Sequence, residues 1–267
     1  MSRLVVLAAC ACGCLATPDH AGTMYRCDVD PTCPDGFTCI DGVCEMGSTT
    51  PGMVTILGGK FQMGCPLSVT SCIDAERPEH DVELATFSID ATEVSAGDYM
   101  TCGSCGAAVG YPTDGDPGLP IRFVAWEDAR TYCASLARHL PTEAQWERAA
   151  RVGEQPYPWG SDTADCQHVI GTGCSGPVPV DQQSNGDTPT GIHHMLGNVR
   201  EWVDDAYDPM FYMSTLATNP DSAGPDDNDR VVRGGGFMTA ASDFAVWHRD
   251  HNDRKQHVAD IGFRCAK

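Results

Sequence analysis

The chain has 267 residues and is strongly acidic, with 37 Asp and Glu against 17 Lys and Arg. This balance argues against a nucleic-acid partner, because such affinity comes largely from Lys and Arg that neutralise phosphates. It also argues against binding to an anionic membrane surface. A solvated acidic surface that keeps the protein soluble is a simpler interpretation than an acidic recognition patch. The 28 Gly and 18 Pro predict many turns and few long helices.

Residues 1–14 have the pattern of an export signal. Arg3 precedes an apolar run over 4–9, and the string Leu7-Ala8-Ala9-Cys10 resembles the lipobox of bacterial lipoproteins. The run is shorter than the roughly 7–15 apolar residues usual in a signal peptide. We expect export to the bacterial cell envelope, with the chain either lipid-anchored at Cys10 or secreted. No other segment of the sequence approaches the roughly 20 apolar residues of a spanning helix, so this lipid would be the membrane attachment.

Fifteen cysteines indicate an oxidising compartment, since a cytosolic chain rarely carries so many outside metal sites. Residues 15–52 form a separate piece with too little apolar content for a core, so disulfides must hold it together. Its four cysteines allow three connectivities, which the sequence leaves open: Cys27, Cys33, Cys39 and Cys44. We interpret this module as a spacer or a minor recognition element, with residues 48–52 as the linker that follows it.

The main domain is predicted to cover 53–267. Its elements, in chain order, are strands over 53–57, 60–64 and 87–90, a short helix capped by Ser95, a helix over 126–136 and a helix that begins after Thr142. In the last of these, Thr142 and Gln145 can form a capping box. One face of that helix carries Trp146, Ala149 and Ala150, and the other pairs Glu147 with Arg151. Loops and short strands are expected from there to Cys265.

The main domain also carries a series of short motifs in a fixed order. The helix segment 138–151 is followed by Tyr157-Pro158-Trp159-Gly160. The other strings are Met53 to Gly64, Glu76 to His80, Ile89 to Val94, Val124 to Ala129, Gly197 to Trp202, Arg233 to Phe237 and Gly262 to Cys265. In order and spacing they resemble the formylglycine-generating enzyme (sulfatase-modifying factor) family. The resemblance implies a loop-rich α+β fold of the C-type-lectin-like kind.

The resemblance also defines what the catalytic centre would need. Enzymes of this family oxidise a substrate cysteine with molecular oxygen, using one copper(I) ion held between two cysteines shortly after a Gly-Gly-Ser segment. Soft thiolates suit copper(I). Here Gly236 stands in place of the Ser, Thr239 at the first cysteine position and Phe244 at the second. We therefore expect no copper site and no conversion of cysteine to formylglycine.

Calcium is the second cofactor that the resemblance implies. The family holds an ion with backbone carbonyls and a Glu, which correspond here to Gly197, Val199 and Glu201 and are suitable hard oxygen ligands. His194 replaces the usual Asn or Asp ligand. The family's second calcium site uses an Asn and an Asp near the segment between Cys166 and Cys174. Gln167 stands there instead and no matching Asp is found, so a second ion is not expected. The histidines and aspartates between His248 and Asp260 could also form a metal site, but solvated loop residues are the simpler interpretation.

Eight cysteines of the main domain are expected to form disulfides. The resemblance pairs Cys133 with Cys265. Short loops favour local pairs elsewhere: Cys65 with Cys72, Cys166 with Cys174 and Cys102 with Cys105. The last pair is a lone C-x-x-C, for which a redox or metal role is the alternative.

Two functions follow from these features. The first is a non-catalytic module whose family-type cleft holds an unknown peptide, glycan or protein partner, with Trp247, His248 and Arg249 as candidate contacts. A Trp face and an Arg fork suit many ligands, although core packing of Trp247 and a structural salt bridge of Arg249 are equally compatible with the sequence. The second is an enzyme of the same family with a different, metal-dependent oxidative activity. The missing cysteines favour the first, since the fold alone does not decide.

Overall fold

The computed structural model describes residues 52–112, 115–182, 184–214, 218–222 and 228–267, together with the backbone of three short strands nearer the N-terminus. The contacts divide the chain into two units, Met1–Thr49 and Thr50–Lys267. Cys10, Cys27 and Cys33 lie outside the described residues, so the predicted lipid anchor and the pairing of the N-terminal cysteines stay predictions.

The described part of the N-terminal unit is a small antiparallel sheet. Its strands are β1 (Tyr25–Arg26), β2 (Phe37–Ile40) and β3 (Val43–Met46), and β3 lies between the other two. Cys39 of β2 and Cys44 of β3 are partners in the strand register.

The second unit combines three small sheets with short helices. Its elements are β4 (Met53–Ile56), β5 (Gly59–Met63), β6 (His80–Leu84), β7 (Phe87–Asp90), α1 (Ala96–Met100), α2 (Trp126–Ser135), α3 (Glu143–Ala150), β8 (Arg200–Ala206), α4 (Phe211–Ser214), β9 (Asp229–Arg233), β10 (Asp250–Asp253) and β11 (Ile261–Phe263). The central sheet has the order β10-β9-β8-β11, and β11 runs parallel to β8. β4 pairs with β7, and β5 with β6. Long stretches of loop connect these elements.

The local signals in the sequence account for the helix starts. The Ser95 side chain accepts the Asp98 amide at the start of α1, as predicted. Thr142 and Gln145 form the predicted capping box at the start of α3. Because each cap satisfies amides that have no partner inside the helix, these short helices have defined first turns.

The core holds α2 and α3 against the strands through tryptophans. Trp146 of α3 is fully buried in one apolar cluster, whereas Trp126 of α2 and Trp202 of β8 lie in another. The indole of Trp126 donates to the Val203 carbonyl at 2.7 Å, and that of Trp202 donates to Val124 at 3.0 Å. These bonds satisfy the polar atom of each large side chain while its rings fill the core. The described helices include none that is both long and apolar enough to cross a membrane.

Candidate functional site

A buried charge network on α3 fixes the loop that follows β9. Glu143 accepts hydrogen bonds from Arg249 Nε at 2.7 Å and from Arg233 Nη1 at 2.9 Å. Glu147 accepts from Arg233 Nη2 at 2.7 Å and from Arg151 Nη2 at 2.8 Å. None of these five side chains is more than 3% exposed. These contacts tie the ends of β9 and β10 to α3, and each buried charge touches at least one charge of opposite sign.

The ionisation of Glu147 is set by its partners. Burial by itself would raise the pKa of this carboxyl, but the charges of Arg151 and Arg233 outweigh burial and hold the pKa below its ordinary value. The Gly64 amide donates a further hydrogen bond to the same carboxylate at 2.8 Å. Hydrogen bonds to the charged form favour that form, so the carboxylate stays ionised at neutral pH.

The loop after β9 brings together the two positions at which the resemblance places copper ligands. A Cβ built on Gly235 would lie 2.6 Å from the Phe244 ring and 3.2 Å from the Thr239 methyl group. Gly235 also has a φ of 65°, so both its contacts and its conformation require glycine. Thr239 and Phe244 therefore converge on one point, although they are not cysteines.

Neither side chain at this point fits copper(I). The Thr239 hydroxyl accepts the Gly236 amide at 2.9 Å and stabilises the turn. The Phe244 ring is 4% exposed and packs on Gly171, where a Cβ would come within 2.7 Å of it. Copper(I) prefers soft sulfur ligands, and a hydroxyl is hard while a phenyl ring offers no lone pair. The residues at this point are a turn-forming hydroxyl and a core side chain.

The structure gives Glu201 a role other than the predicted calcium ligand. Its carboxylate accepts from Arg264 Nη2 at 2.7 Å, from Arg264 Nε at 2.8 Å and from Trp146 Nε1 at 2.9 Å. Burial raises the pKa of Glu201, and Arg264 opposes that rise. A calcium ion would have to share these oxygens with a guanidinium cation. Glu201 therefore does not fit the role that was expected of it beside Gly197 and Val199.

His194, which stands at the position of the family's side-chain ligand, contacts a carboxylate through one ring nitrogen. Its Nδ1 lies 3.2 Å from Glu93 Oε2, and Asn198 donates to the other Glu93 oxygen at 2.9 Å. Burial would lower the pKa of His194, but Glu93 outweighs burial and raises it. The contact with Glu93 engages Nδ1, whereas Nε2 is buried and has no hydrogen-bond partner among the described residues. Across the described ranges, no group of three or more His, Cys, Asp or Glu side chains is arranged to hold a metal ion.

Beside Phe244 lies a cavity of about 530 Å³, which we call the cleft. Three loop segments line it: 69–76, 154–157 and 242–248. The first ends in a short 3-10 helix, and the third includes another at Ala241–Asp243. The cleft therefore adjoins the position where the resemblance places the reactive centre, and its size is typical of a small-ligand site.

The three predicted ligand contacts behave differently. Trp247 and His248 line the cleft, although Trp247 is only 5% exposed and also belongs to the core. Arg249 does not line it. Its guanidinium donates to Glu143 and to the Ala75 carbonyl inside the protein, so the structural salt bridge is the correct interpretation of Arg249.

His248 is held in the cleft by a carboxylate. Its Nδ1 lies 2.8 Å from Glu76 Oε1, and 36% of the His248 side chain is exposed. Glu76 is fixed in turn by the Ile73 amide, which donates to Oε2 at 3.1 Å. A side chain positioned like His248 can donate to or accept from a bound ligand.

Comparison with known proteins identifies the architecture. The model of the sulfatase-modifying factor enzyme 1-like domain matches residues 42–267. The chain belongs to the sulfatase-modifying factor family. It is similar to the formylglycine-generating enzyme of Streptomyces coelicolor, at 27% identity over 82% of this chain and 90% of that protein. It is also similar to a hercynine oxygenase of Mycolicibacterium thermoresistibile, at 32% identity over 56% of this chain and 37% of that protein.

Solved structures of the sulfatase-modifying factor family extend the likeness to the fold. The structure of PvdO from Pseudomonas aeruginosa superposes with a TM-score of 0.70 at 24% identity, covering 80% of this chain and 93% of the other. Because family members carry differently named activities, membership establishes the mixed α and β architecture and leaves the reaction to be argued from the site.

The four disulfides expected in this family domain are all present. Cys133 of α2 is bonded to Cys265. The three local bonds are Cys65–Cys72, Cys102–Cys105 and Cys166–Cys174. The C-x-x-C pair is thus a loop disulfide in this structure. Cys72 also lines the cleft, so the bond to Cys65 holds one of its walls.

The histidines and aspartates between His248 and Asp260 do not converge. Asp250 and Asp260 both accept hydrogen bonds from Arg200, at 2.7 Å each. His251 pairs with Asp229 instead, and His257 contacts the Phe123 carbonyl. These residues take part in ion pairs and loop contacts, and Asp260 is buried, unlike the solvated loop residues that the sequence favoured.

Sequence reasoning missed most of the cleft lining, including its polar residues Glu76, Glu154, Tyr157 and Asp243. Glu76 and Tyr157 lie within motifs that the resemblance rests on, so they could have been considered as cleft residues. Glu154 and Asp243 lie in loops with no periodic pattern, and only the folded chain brings them together.

Proposed function

We propose that this protein is a non-catalytic member of the sulfatase-modifying factor family that binds a ligand or partner in its cleft. The observation that carries the proposal is the convergence of Thr239 and Phe244 on Gly235. The turn at Gly235 brings the two positions together, but they hold a hydroxyl and a packed ring in place of copper ligands. The adjoining cleft of about 530 Å³ remains open to a ligand.

The test is a copper(I) competition titration against a chromophoric chelator. We expect wild-type protein and the Thr239→Ala/Phe244→Leu variant to take up the same amount of copper. A Thr239→Cys/Phe244→Cys variant should gain up to one equivalent, because its two thiolates would approach each other at Gly235. Copper bound by the wild type and lost in Thr239→Ala/Phe244→Leu would contradict the proposal.

An enzyme with a different, metal-dependent oxidative activity is the second candidate. The pair His248–Glu76 favours it, because an imidazole held by a carboxylate can exchange a proton with a bound substrate. Elemental analysis of purified protein for iron, zinc, copper and calcium separates the two candidates. A stoichiometric redox metal would favour the enzyme, whereas its absence together with ligand binding would favour the binding module.

Calcium held by the carbonyls of Gly197 and Val199 and the carboxylate of Glu201 stays a prediction. The bonds from Arg264 to Glu201 argue against a tight site. We therefore expect that adding calcium or a chelator changes the thermal midpoint of unfolding little. A large, saturable rise with calcium would restore Glu201 to the ligand set.

We further propose that the protein is exported and that its family domain has the finer C-type-lectin-like fold. The string that ends at Cys10 supports a lipid anchor, and the cysteine content of the whole chain supports an oxidising compartment. Residues 15–52 would then be a disulfide-held module between anchor and domain. Intact mass of membrane-extracted protein tests the anchor, since a chain that begins at residue 1 without lipid would overturn it.

A further inference from the structure

We infer that the disulfide Cys102–Cys105 is a redox-active pair that exchanges with external thiols. This inference goes beyond the proposed binding function and does not depend on it. Three observations carry it: the accessibility of the pair, the hydrogen bonds that hold its loop without the disulfide, and a hydroxyl group beside one of the two sulfur atoms.

The pair lies at the surface in a short loop after α1. Both of its cysteines are partly exposed, and Gly103 and Ser104, which separate them, are exposed. In the bonds Cys65–Cys72 and Cys133–Cys265, by contrast, at least one cysteine is fully buried. A thiolate must reach a sulfur atom in order to attack it, so exposed disulfides are the ones that exchange readily.

The loop is held at both ends by hydrogen bonds that do not involve the disulfide. The Cys102 amide donates to the Tyr99 carbonyl at 3.0 Å. At the other end, the Gly106 amide donates to Asp128 at 3.1 Å, and the Gly106 carbonyl accepts from the Tyr99 hydroxyl at 2.8 Å. Tyr99 itself is buried in the core. Because both ends are held and the bond spans only 3 residues, the two thiols would stay close after reduction and the bond could form again.

A hydroxyl group favours cleavage of the bond in one direction. The Ser104 Oγ lies 3.6 Å from Cys102 Sγ, so Ser104 can donate a hydrogen bond to the Cys102 thiolate as it forms. At the other end, the Asp128 carboxylate contacts Gly106, next to Cys105, and disfavours a second negative charge there. Exchange is faster when the departing thiolate is better stabilised. Cys102 is therefore the leaving group, and Cys105 Sγ is the atom that is attacked.

The exchange consists of two displacement steps. A thiolate RS⁻ attacks Cys105 Sγ, the bond between the two Sγ atoms breaks, and its electron pair leaves with Cys102 as a thiolate. The product is a mixed disulfide between R and Cys105. A second thiolate then attacks the sulfur of R, which forms RSSR and releases Cys105 as a thiolate. The two protons lost by the external thiols go to Cys102 and Cys105, so the protein gains two electrons while two RSH are oxidised to RSSR.

The bond Cys166–Cys174 is an internal control, because it is accessible but has a carbonyl oxygen beside its sulfur where the first pair has a hydroxyl. Cys166 is exposed. Attack on Cys166 would release the Cys174 thiolate, whose sulfur lies 3.6 Å from the Val169 carbonyl oxygen. A carbonyl oxygen repels a negative charge, so we expect this bond to exchange more slowly.

The test incubates the folded full-length protein with millimolar reduced glutathione, labels free thiols with an alkylating reagent at successive times and maps the labels by mass spectrometry. We expect Cys102 and Cys105 to be labelled at least about tenfold faster than Cys166 and Cys174. The near-ultraviolet circular dichroism should stay unchanged while Cys102–Cys105 is reduced. Oxidised glutathione should then restore the bond.

Variants at Ser104 separate assisted exchange from simple exposure. Ser104→Ala should slow the reduction of Cys102–Cys105 by about threefold or more, whereas Ser104→Thr, which keeps the hydroxyl, should react like the wild type. The thermal midpoint of unfolding should be the same in all three proteins. The inference would be overturned by labelling of Cys102 and Cys105 no faster than that of Cys166 and Cys174, by loss of the near-ultraviolet signal on reduction, or by Ser104→Ala reacting as fast as Ser104→Thr.

Discussion

The α3 network and the loop from Gly235 to Phe244 lie side by side, and they stabilise this domain in different ways. On α3, Glu143 and Glu147 hold their arginines in a fully paired, buried arrangement. In the loop, Thr239 and Phe244 converge on Gly235, at the two positions where the resemblance places copper ligands. The comparison teaches that buried ion pairs hold the helix, whereas a turn-forming hydroxyl and a packed ring hold the neighbouring loop.

Among the contacts discussed, we expect the disulfide between Cys133 and Cys265 to stabilise the fold most. It spans 132 residues, and in the chain-entropy model such a bond contributes about 5 kcal/mol. Cys133→Ala should lower the free energy of unfolding by that order in urea titrations. Cys102→Ala is the control, since its bond spans 3 residues and the same model gives about 1–2 kcal/mol. Equal losses would contradict the argument.

Removing a carboxylate from the buried charge network on α3 should cause the next largest loss of stability. Glu143→Ala leaves Arg233 and Arg249 buried without this partner, which costs about 3–5 kcal/mol of unfolding free energy. Urea unfolding followed by circular dichroism measures the loss. Glu127→Ala on the exposed side of α2 should change stability by less than about 1 kcal/mol. A small loss of unfolding free energy in Glu143→Ala would mean that the network does not stabilise the fold.

Phe244 tests whether the second position at which the resemblance places a copper ligand is part of the core. Phe244→Ala should destabilise the protein by about 3 kcal/mol, because it opens a void against Gly171 and Gly235. Phe244→Leu keeps most of the volume and should cost less than about 1.5 kcal/mol. If Phe244→Ala were neutral, the ring would be a removable lid on the site instead of core packing.

The pH dependence of stability sharpens the role of Glu147. Its folded-state pKa lies below the ordinary value of 4.5, so the stabilisation is present above that pH and is lost as pH falls through the folded pKa. The difference in unfolding free energy between wild type and Glu147→Gln should be about 2 kcal/mol at pH 7 and shrink below pH 4.5. A difference that stays constant down to pH 3 would show that the charge of Glu147 is not involved.

Local sequence signals predicted several of the helices and strands. The caps at Ser95 and Thr142 and the strand over Phe87–Asp90 were predictable because each depends on neighbours in the chain. The strand β6 was not predicted, although its buried Val82 and Leu84 alternate with Asp81 and Glu83 in the pattern of a half-buried strand. That Thr239 and Phe244 stand where the resemblance places the copper ligands needs only the sequence, and the absence of a copper site stays a prediction.

The cleft could be predicted only in part. Trp247 and His248 follow from their place in the motif order, whereas Arg249 could not be separated from them without knowing that Glu143 lies beneath it. Glu154 and Asp243 come from loops of unpatterned sequence that meet only in the folded chain. Charge at a site assembled from three loops depends on tertiary contacts that a linear pattern does not contain.

The most direct test of the central claim is turnover of a Cys-x-Pro-x-Arg peptide by copper(I)-loaded protein in the presence of oxygen. The formylglycine-generating enzyme of Streptomyces coelicolor, to which this chain is similar, serves as the positive control. Mass spectrometry should show the peptide cysteine unchanged with the wild type, because Thr239 and Phe244 offer no thiolate for the ion. Conversion to formylglycine at a rate comparable to that of the control would contradict the account and make this protein an oxidase.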